Sequence, residues 1–298
     1  MQEQLERERK SLTVVGTLPF PEVPVITGDV EYSNGIITIS GRWTFPAQRG
    51  TAALLGAAYE VLKNHGGGLL RAVLAGDNGQ GYGSRAIYRY LVENPDVIRT
   101  NVLVFHYLFP DVDWHGKIII ALEKISPRPI LIADAGFMYV AKMSGQASLY
   151  DLFTPDVGEL AFLADEEAPH PFYTRGFLLH ENNRLFDLIE RAYSHGNAAK
   201  NLLVKAAVDH IVVQGQLVAT ISEPNVPELE AIGGTGDTLT GIVSALVASR
   251  LEITDAMVLA AKTNRMAGSL AKPTVATPIT NLIEKIPYAL NKVLGGAV

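Results

Sequence analysis

The sequence contains no cysteine, and this absence excludes several kinds of site at once. Without thiols the chain has no disulfide framework, no thiolate metal site and no cysteine nucleophile. It also has no uninterrupted apolar run of roughly 18 residues, the length that indicates a membrane-spanning helix. The first residues, MQEQLERERK, are charged rather than apolar, which argues against a secretory signal. We therefore expect a cytoplasmic protein with no membrane partner.

Charged residues are sparse as well. They make up 19% of the 298 residues, the net charge is −6, and 48% of the residues are hydrophobic. This balance favours a sizeable packed core over long disordered tracts. Because the Lys and Arg residues are scattered, we expect no nucleic-acid partner. A small phosphorylated ligand stays compatible with this charge, since it needs only a few backbone amides.

Two catalytic signatures are also missing. The segment HGGG at residues 65–68 is similar to an esterase oxyanion loop, but the nucleophile elbow G-x-S-x-G occurs nowhere in the chain. The seven histidines show neither H-E-x-x-H nor another ligand spacing, so no zinc site is predicted.

Short apolar runs alternate with stretches of helical periodicity along most of the chain. Strands are predicted at residues 36–40, 69–75, 102–109 and 129–135. Near-continuous apolar strands separated by helices are typical of a parallel sheet that is covered on both faces. Two β-rich runs flank Gln214-Gly215 and predict an antiparallel hairpin over residues 211–221. The final segment of the chain has helical periodicity.

The first 30 residues differ from the rest. A charged decapeptide is followed by VVGTLPFPEVPVITGD, in which three prolines interrupt any helix. We therefore expect residues 1–30 to form an N-terminal surface arm or edge segment, and residues 31–298 to form a single α/β domain.

A glycine-rich segment, AIGGTGDTLTGIVSAL at residues 231–246, precedes an apolar helix. The first amides of a helix lack intrahelical partners and lie at the positive end of its dipole. Glycines let an anion approach such amides closely, and Asp237 is placed to accept a proton during phosphoryl transfer. The alternative is that Asp237 is only an N-cap, which would need no glycine. The predicted anion-binding residues are Gly233, Gly234, Thr235 and Gly236.

Three further carboxylates and one lysine are candidates. Asp156 and Glu159 lie three apart at the start of a predicted helix, where they could organise Mg²⁺ and phosphate or simply suit a first turn. Asp134 ends a predicted strand, and ligands of open α/β sheets bind beyond the carboxyl ends of strands. Lys205 follows an apolar run and could reach a nucleotide phosphate or remain solvated.

A second glycine-rich turn lies within AGDNGQGYGSRAIYRYL at residues 75–91. It half-matches a dinucleotide fingerprint through Gly79 and Gly81, with Ser84 in the third glycine's place. We favour a tight strand-to-helix turn here.

Taken together, these motifs resemble the ribokinase-like superfamily, and most closely its ADP- or ATP-dependent NAD(P)H-hydrate dehydratase branch. GGTGDTLTGIVSAL is similar to the catalytic glycine-rich loop of that branch, and TPDVGELAFL to its T-P-H-x-G-E segment. LIADA resembles the strand that ends in D-A-D, and VKAAVDHIVV resembles the K-G-x-x-T-x-I segment. The resemblance covers residues 35–298. It implies a three-layer α/β/α sandwich with a mostly parallel sheet, and dehydration of hydrated, damaged NAD(P)H.

The resemblance also implies roles for residues. Asp237 corresponds to the catalytic base, the amides of residues 234–236 to an anion hole, and Lys205 to a residue near the nucleotide. Glu159 would hold Mg²⁺ through water. The residues implied on the substrate or Mg²⁺ side are Asp134, Asp156, Glu159 and Asn264. The implied partners are ATP or ADP, Mg²⁺ and a small-molecule substrate, in a homo-oligomer.

Some positions depart from the family pattern. Asp156 stands where the pattern has His, Ala206 stands in place of Gly, and Asn264 begins NRMAGS where the pattern reads H-G-x-A-G-D. The G-P-G after the third strand is replaced by VFHYLFPD. Two alternatives therefore remain open: a kinase of a small alcohol in the same superfamily, and a non-catalytic nucleotide-binding or assembly protein.

Overall fold

The computed structural model describes residues 10–166 and 185–296. Within these ranges the strands are β1 (Ser11–Leu18), β2 (Ile26–Ser33), β3 (Ile36–Ile39), β4 (Trp43–Pro46), β5 (Leu69–Gly76), β6 (Val102–His106), β7 (Ile130–Ala133), β8 (Leu152–Phe153), β9 (Asn201–Val204), β10 (Asp209–Val213) and β11 (Gln216–Ile221). The α-helices are α1 (Thr51–Asn64), α2 (Tyr82–Glu93), α3 (Val112–Glu123), α4 (Gly136–Met143), α5 (Val157–Ala164), α6 (Leu185–Ser194), α7 (Thr235–Ala248), α8 (Ile253–Ala271), α9 (Ile279–Ile283) and α10 (Ile286–Leu294).

The strands form one sheet in the spatial order β11-β10-β9-β8-β7-β6-β1-β5-β2-β3-β4. The central strands, from β9 through β5 in this order, are parallel to one another. The strands at both ends of the sheet are antiparallel. The predicted α/β class with a mostly parallel sheet is confirmed, and so is the predicted hairpin, which is β10 and β11.

The sheet separates two hydrophobic cores. Alternate residues of each central strand face opposite sides, as the side-chain period of a strand requires: Val14 lies in one core and Val15 in the other. Helices α1 and α7–α10 cover the first core, and α2–α6 cover the second. The result is a three-layer α/β/α sandwich.

The expectation that residues 1–30 form a surface arm is wrong for Ser11–Leu18. This segment is β1, which lies in the middle of the sheet and pairs in parallel with β5 and β6. Val14 and Val15 are fully buried. The three prolines that suggested an irregular segment follow β1 instead of interrupting it. Residues 1–9 of the predicted arm lie outside the described residues.

The sequence also misplaced the ends of some elements. β6 ends at His106 and not at residue 109, because Tyr107 adopts a left-handed backbone conformation with φ of 52°. Helix α6 ends at Ser194, and the apolar run that follows it is β9, which the sequence did not predict as a strand. Helix α4, which begins directly after the strand containing Asp134, was not predicted.

Close packing of α1 against α7 fixes the position of the glycine-rich segment. A Cβ atom on Gly241 would lie 2.3 Å from the main-chain oxygen of Leu54, so only glycine permits this approach. Helix α7 is buried from Asp237 to Ala248. Its N-terminus therefore has one fixed position, at the carboxyl ends of the central strands.

In the described parts of the chain, no helix combines the length and the apolar character that a bilayer crossing requires.

Candidate active site

The first turn of α7 carries Asp237 at its third residue. The N-cap of α7 is Gly234, with φ of 105°, and no described side chain caps the helix. The carboxylate of Asp237 instead reaches two distant segments of the chain. Its Oδ2 accepts a hydrogen bond from the Gly50 amide at 2.6 Å, and its Oδ1 lies 3.1 Å from Nε2 of His106. The N-cap alternative for Asp237 is therefore wrong, and the amides of the first turn are left for another acceptor.

Asp237 is ionised at neutral pH although it is only 8% exposed. Burial by itself would raise its pKa, but the hydrogen bond with His106, the charge of Lys205 and the Gly50 amide lower the pKa below its usual value. An ionised carboxylate held on both oxygens is a positioned proton acceptor.

Lys205 and Asp134 form a buried ion pair beside this carboxylate. The Lys205 Nζ lies 2.8 Å and 3.0 Å from the two oxygens of Asp134, and the Thr240 hydroxyl donates to Asp134 at 2.6 Å. Burial would lower the pKa of Lys205, but the carboxylates of Asp134 and Glu159 raise it above its usual value. A Cβ atom on Gly236 would lie 3.6 Å from Nζ, so the ammonium lies directly beside the glycine-rich loop.

Asp156 and Glu159 form a reciprocal capping box at the start of α5. The Glu159 amide donates to Asp156 at 2.7 Å, and the Asp156 amide donates to Glu159 at 2.8 Å. The helix-start interpretation therefore accounts for this pair of hydrogen bonds. Burial raises the pKa of Glu159 to about 8; Lys205 opposes this, while the charges of Asp134 and Asp156 add to it. Burial and the neighbouring acidic side chains thus disfavour the ionised form of Glu159.

Asn264 stabilises the first turn of α7 through two hydrogen bonds. Its side-chain amide donates to the Thr235 carbonyl at 3.1 Å, and its oxygen accepts from the Thr238 hydroxyl at 2.8 Å. Asn264 therefore holds the loop in place from the neighbouring helix α8.

Two cavities meet at Asp237. The larger, about 950 Å³, is walled by aromatic rings of Tyr107, Phe109 and Tyr139, and we call it the aromatic pocket. The smaller, about 470 Å³, we call the polar pocket. Asp237 and Gly234 line both. Glu159 also lines both, and Gly233 lines the aromatic pocket. The polar pocket is lined in addition by the other predicted site residues Asp134, Asp156, Lys205, Thr235, Gly236 and Asn264.

The sequence did not indicate His106, Thr51 or Gly50. His106 is fully buried, and its Nδ1 lies 3.0 Å from the Thr51 hydroxyl. It stands alone in an apolar run, VFHYLF, with no partner at a recognisable spacing. Its partners come from α7 and the start of α1, which only the fold brings together.

The second glycine-rich turn is filled by its own carboxylate. Asp77 accepts hydrogen bonds from the amides of Gly79, Gly81 and Ser84 at 3.0, 3.0 and 2.9 Å. These amides are therefore occupied, in agreement with a tight strand-to-helix turn.

Comparisons with known proteins identify the family and the fold of this chain. The carbohydrate-kinase family model described as NAD(P)H-hydrate dehydratase matches residues 115–288. An uncharacterized protein of Methanocaldococcus jannaschii is 38% identical over 242 residues, which cover 81% of this chain and 100% of that protein.

Two relatives carry functional names but match over less of their length. The bifunctional NAD(P)H-hydrate repair enzyme Nnr of Hyperthermus butylicus is 40% identical over 116 residues, 38% of this chain and 20% of that enzyme. The ADP-dependent (S)-NAD(P)H-hydrate dehydratase of Staphylococcus aureus is 26% identical over 195 residues, 64% of each chain.

Solved structures show the same fold. A ribokinase-like superfamily protein of Enterococcus faecalis superposes with a TM-score of 0.60 at 16% identity, over 96% of this chain and 89% of the other. A mutant of phosphofructokinase-2 from Escherichia coli gives 0.56 at 15% identity, over 94% and 99%. The fold is thus ribokinase-like, and the chain belongs to the NAD(P)H-hydrate dehydratase family of carbohydrate-kinase-like proteins.

Proposed function

We propose that this protein restores hydrated NAD(P)H to its reduced form in a reaction that consumes ADP or ATP. The observation that carries the proposal is the ionised carboxylate of Asp237 at the junction of the aromatic and polar pockets. A group at this junction can touch one ligand in each pocket, as transfer between two bound molecules requires.

The polar pocket suits the phosphates of the nucleotide. The first-turn amides of α7 lie at the positive end of a helix dipole, and the ammonium of Lys205, paired with Asp134, lies beside Gly236. Since Lys205 is neutralised by Asp134, the pocket does not repel a second cation that accompanies the phosphates.

The aromatic pocket suits the hydrated nicotinamide ring. Its walls include the rings of Tyr107, Phe109 and Tyr139 and the apolar side chains of Leu18 and Pro19. Such surfaces bind flat organic rings, while a few polar groups orient them. The hydroxyl of the ring would then face Asp237.

The reaction has two steps in this arrangement. The ring hydroxyl attacks the terminal phosphorus of the nucleotide, an O–P bond forms, and the bond to the leaving phosphate oxygen breaks as Asp237 takes the hydroxyl proton. Donors from the first turn of α7 stabilise the charge on the transferred group. The phosphate then leaves with the electrons of its C–O bond, the adjacent ring carbon loses a proton, and the ring double bond re-forms.

The residues of this site fit a Mg²⁺ ion that would be held through water and by the phosphates of the nucleotide. In the part of the chain that the structure describes, no three acidic or histidine side chains cluster to hold a metal directly. Glu159 faces both pockets, and burial raises the pKa of its carboxyl to about 8, so a cation beside it would favour the ionised form. Glu159 would therefore hold the ion through water, with Asp156 behind it. When bound, Mg²⁺ supplies neutralisation of phosphate charge.

One incubation tests the proposal. The protein is mixed with hydrated NADH and Mg²⁺ together with ADP, with ATP or with no nucleotide, and absorbance of the reduced ring is followed. Recovery with one nucleotide and none without it is the expected result, and the comparison identifies the preferred nucleotide. No recovery with either nucleotide would contradict the proposed activity.

A further inference from the structure

We propose that His106 is a positioning residue for Asp237, and that Thr51 holds the imidazole in the orientation this requires. Together with Asp237 the two side chains form a buried hydrogen-bonded chain, Thr51–His106–Asp237, which we call the relay. It fixes the direction in which the carboxylate meets a substrate hydroxyl. The inference rests on the proposed function, because it assigns the relay to the same reaction.

The first step is the link between His106 and the carboxylate. Nε2 of His106 lies 3.1 Å from Oδ1 of Asp237, while the Gly50 amide holds Oδ2 at 2.6 Å. An ionised carboxylate can only accept hydrogen bonds, so Nε2 carries a proton and donates it. With both oxygens held, the carboxylate cannot rotate about its last bond, and its free lone pairs point in fixed directions.

The second step is the link between His106 and Thr51. Nδ1 lies 3.0 Å from the Thr51 hydroxyl, and Thr51 is only 1% exposed. The hydroxyl can donate to Nδ1, which leaves the proton of the neutral ring on Nε2, where Asp237 needs it. A group that fixes the far nitrogen of a histidine in this way sets both its tautomer and its orientation.

Strand β1 and the ring of Tyr107 pack closely against the relay. A Cβ atom on Gly16 in β1 would lie 2.7 Å from both the Thr51 hydroxyl and the His106 carbonyl oxygen. Only glycine at this position leaves room for the pair. Tyr107 closes the other side, with its ring perpendicular to the imidazole at 4.5 Å. Its backbone is left-handed, with φ of 52°, and its carbonyl accepts from Thr17 at 2.6 Å.

Other titratable groups near the relay already have partners or lie further off. Asp134 is 3.7 Å from Nε2 of His106 but is paired with Lys205. Among the described residues, Tyr107 and Glu159 also interact electrostatically with the carboxylates and the lysine of this cluster. The closest charged neighbour of the imidazole is therefore Asp237.

A second buried histidine provides a matched control. His115 is also fully buried and lies between the Tyr150 hydroxyl at 2.9 Å and the Ser144 hydroxyl at 3.0 Å. It packs against the rings of Phe137 and Tyr150, on the opposite face of the sheet from α7. Replacing His115 perturbs a buried histidine without touching Asp237.

The test compares His106→Leu, His106→Gln, Thr51→Val and His115→Leu with the unmodified protein. The pH dependence of kcat/KM and the pH titration of the Asp237 carboxyl by ¹³C NMR are both measured. His106→Leu removes a buried hydrogen bond to a charged group and so raises the pKa of Asp237. The acid limb of the pH profile and the midpoint of the NMR titration should therefore both move up by about one to two pH units. His106→Gln can still donate a hydrogen bond to Asp237, so it should show little of the shift and keep most of kcat.

The other two variants complete the test. Thr51→Val moves the profile in the same direction by a smaller amount and keeps the test valid if His106→Leu does not fold. His115→Leu lowers the melting temperature without moving the profile. An unchanged profile and titration in both His106→Leu and Thr51→Val would overturn the relay, as would equal shifts in His115→Leu. Because the NMR titration needs no substrate, a shift there in a protein that shows no turnover supports the relay and contradicts only the proposed function.

Discussion

Replacing Asp237 with Asn separates catalysis from stability, because the change removes the charge and nearly conserves the volume. The carboxylate accepts from the Gly50 amide at 2.6 Å and from Nε2 of His106 at 3.1 Å. The Asn side chain offers one accepting oxygen and one donating nitrogen. If the oxygen keeps the bond to Gly50, the nitrogen faces His106.

The tautomer of His106 then sets the cost of the substitution. If Nε2 keeps its proton, two donors face each other, which costs roughly 1–3 kcal/mol. If the proton moves to Nδ1, Nε2 accepts from the new amide and Nδ1 donates to the Thr51 hydroxyl, so every polar atom stays paired. The free energy of unfolding therefore falls by at most about 3 kcal/mol, which is roughly 6–12 °C in Tm for a large domain.

The cost also depends on pH. The pKa of Asp237 in the folded protein is below its usual value. Its ionised form therefore contributes stability above the unfolded-state pKa, and this contribution is lost as the pH falls through the lowered pKa. The Asn variant has no such dependence, so the difference in unfolding free energy between the two proteins narrows on acidification.

Turnover should change far more than stability. Loss of a general base predicts a fall in kcat of about 10²–10⁴. The assay measures kcat from the absorbance of the reduced ring and Tm on the same samples, at neutral and acidic pH. A loss of activity that only follows the unfolded fraction, or a kcat within a few-fold of the unmodified protein, would refute the role of Asp237 as the base.

Three further predictions concern packing, charge and pH. Gly241→Ala should lower the unfolding free energy by about 1–3 kcal/mol in thermal melts, because its Cβ meets a carbonyl oxygen of α1 at 2.3 Å; Gly116→Ala, with nothing within 4 Å, is the control that should not destabilise. Lys205→Met should raise the nucleotide KM at least tenfold, and it should lower Tm because it leaves the charge of Asp134 buried and unpaired. Adding Asp134→Asn should restore Tm but not the nucleotide KM. A restored KM would contradict the role of Lys205 in binding phosphate. In the absence of ligands, stability should fall as the pH rises from 4.5 to about 8, because folded Glu159 holds its proton more tightly than the unfolded chain does; Glu159→Gln should remove this fall in denaturant titrations, and an unchanged slope would contradict it.

The sequence indicated the parts of the site that follow a local pattern. Asp237 follows a glycine-rich loop before an apolar helix, and Asp134 ends an apolar strand. Because ligands of open α/β sheets bind beyond the carboxyl ends of strands, the position of Asp134 was enough to make it a site candidate. The convergence of Asp134, Lys205 and Glu159 on the polar pocket agrees with this reasoning.

Contacts between distant segments left no such pattern. His106 meets Asp237 across 131 residues of sequence, and Gly50 meets it across 187. A single histidine in an apolar run looks like any buried histidine until α7 is packed against the sheet. Asn264 likewise stabilises the first turn of α7 only because α8 packs beside it, and the sequence does not show this packing.

The N-terminal segment was misjudged for a different reason. The prolines after β1 were counted against the whole of residues 1–30, although Ser11–Leu18 is itself an apolar, β-branched run. Proline breaks the element that contains it and not the element before it. The central place of β1 follows from its parallel pairing with β5 and β6, which needs the complete topology.

The central claim is that phosphoryl transfer at Asp237 ends in elimination. A single-turnover reaction tests it most directly: the enzyme, in excess over hydrated NADH, is mixed with Mg²⁺ and the preferred nucleotide, and the products are quantified together. The account predicts equal amounts of reduced dinucleotide, inorganic phosphate and nucleotide shortened by one phosphate. A stable phosphorylated product with no free phosphate would instead indicate a kinase, and bound but unconsumed nucleotide would indicate a protein without catalysis; either result contradicts the account.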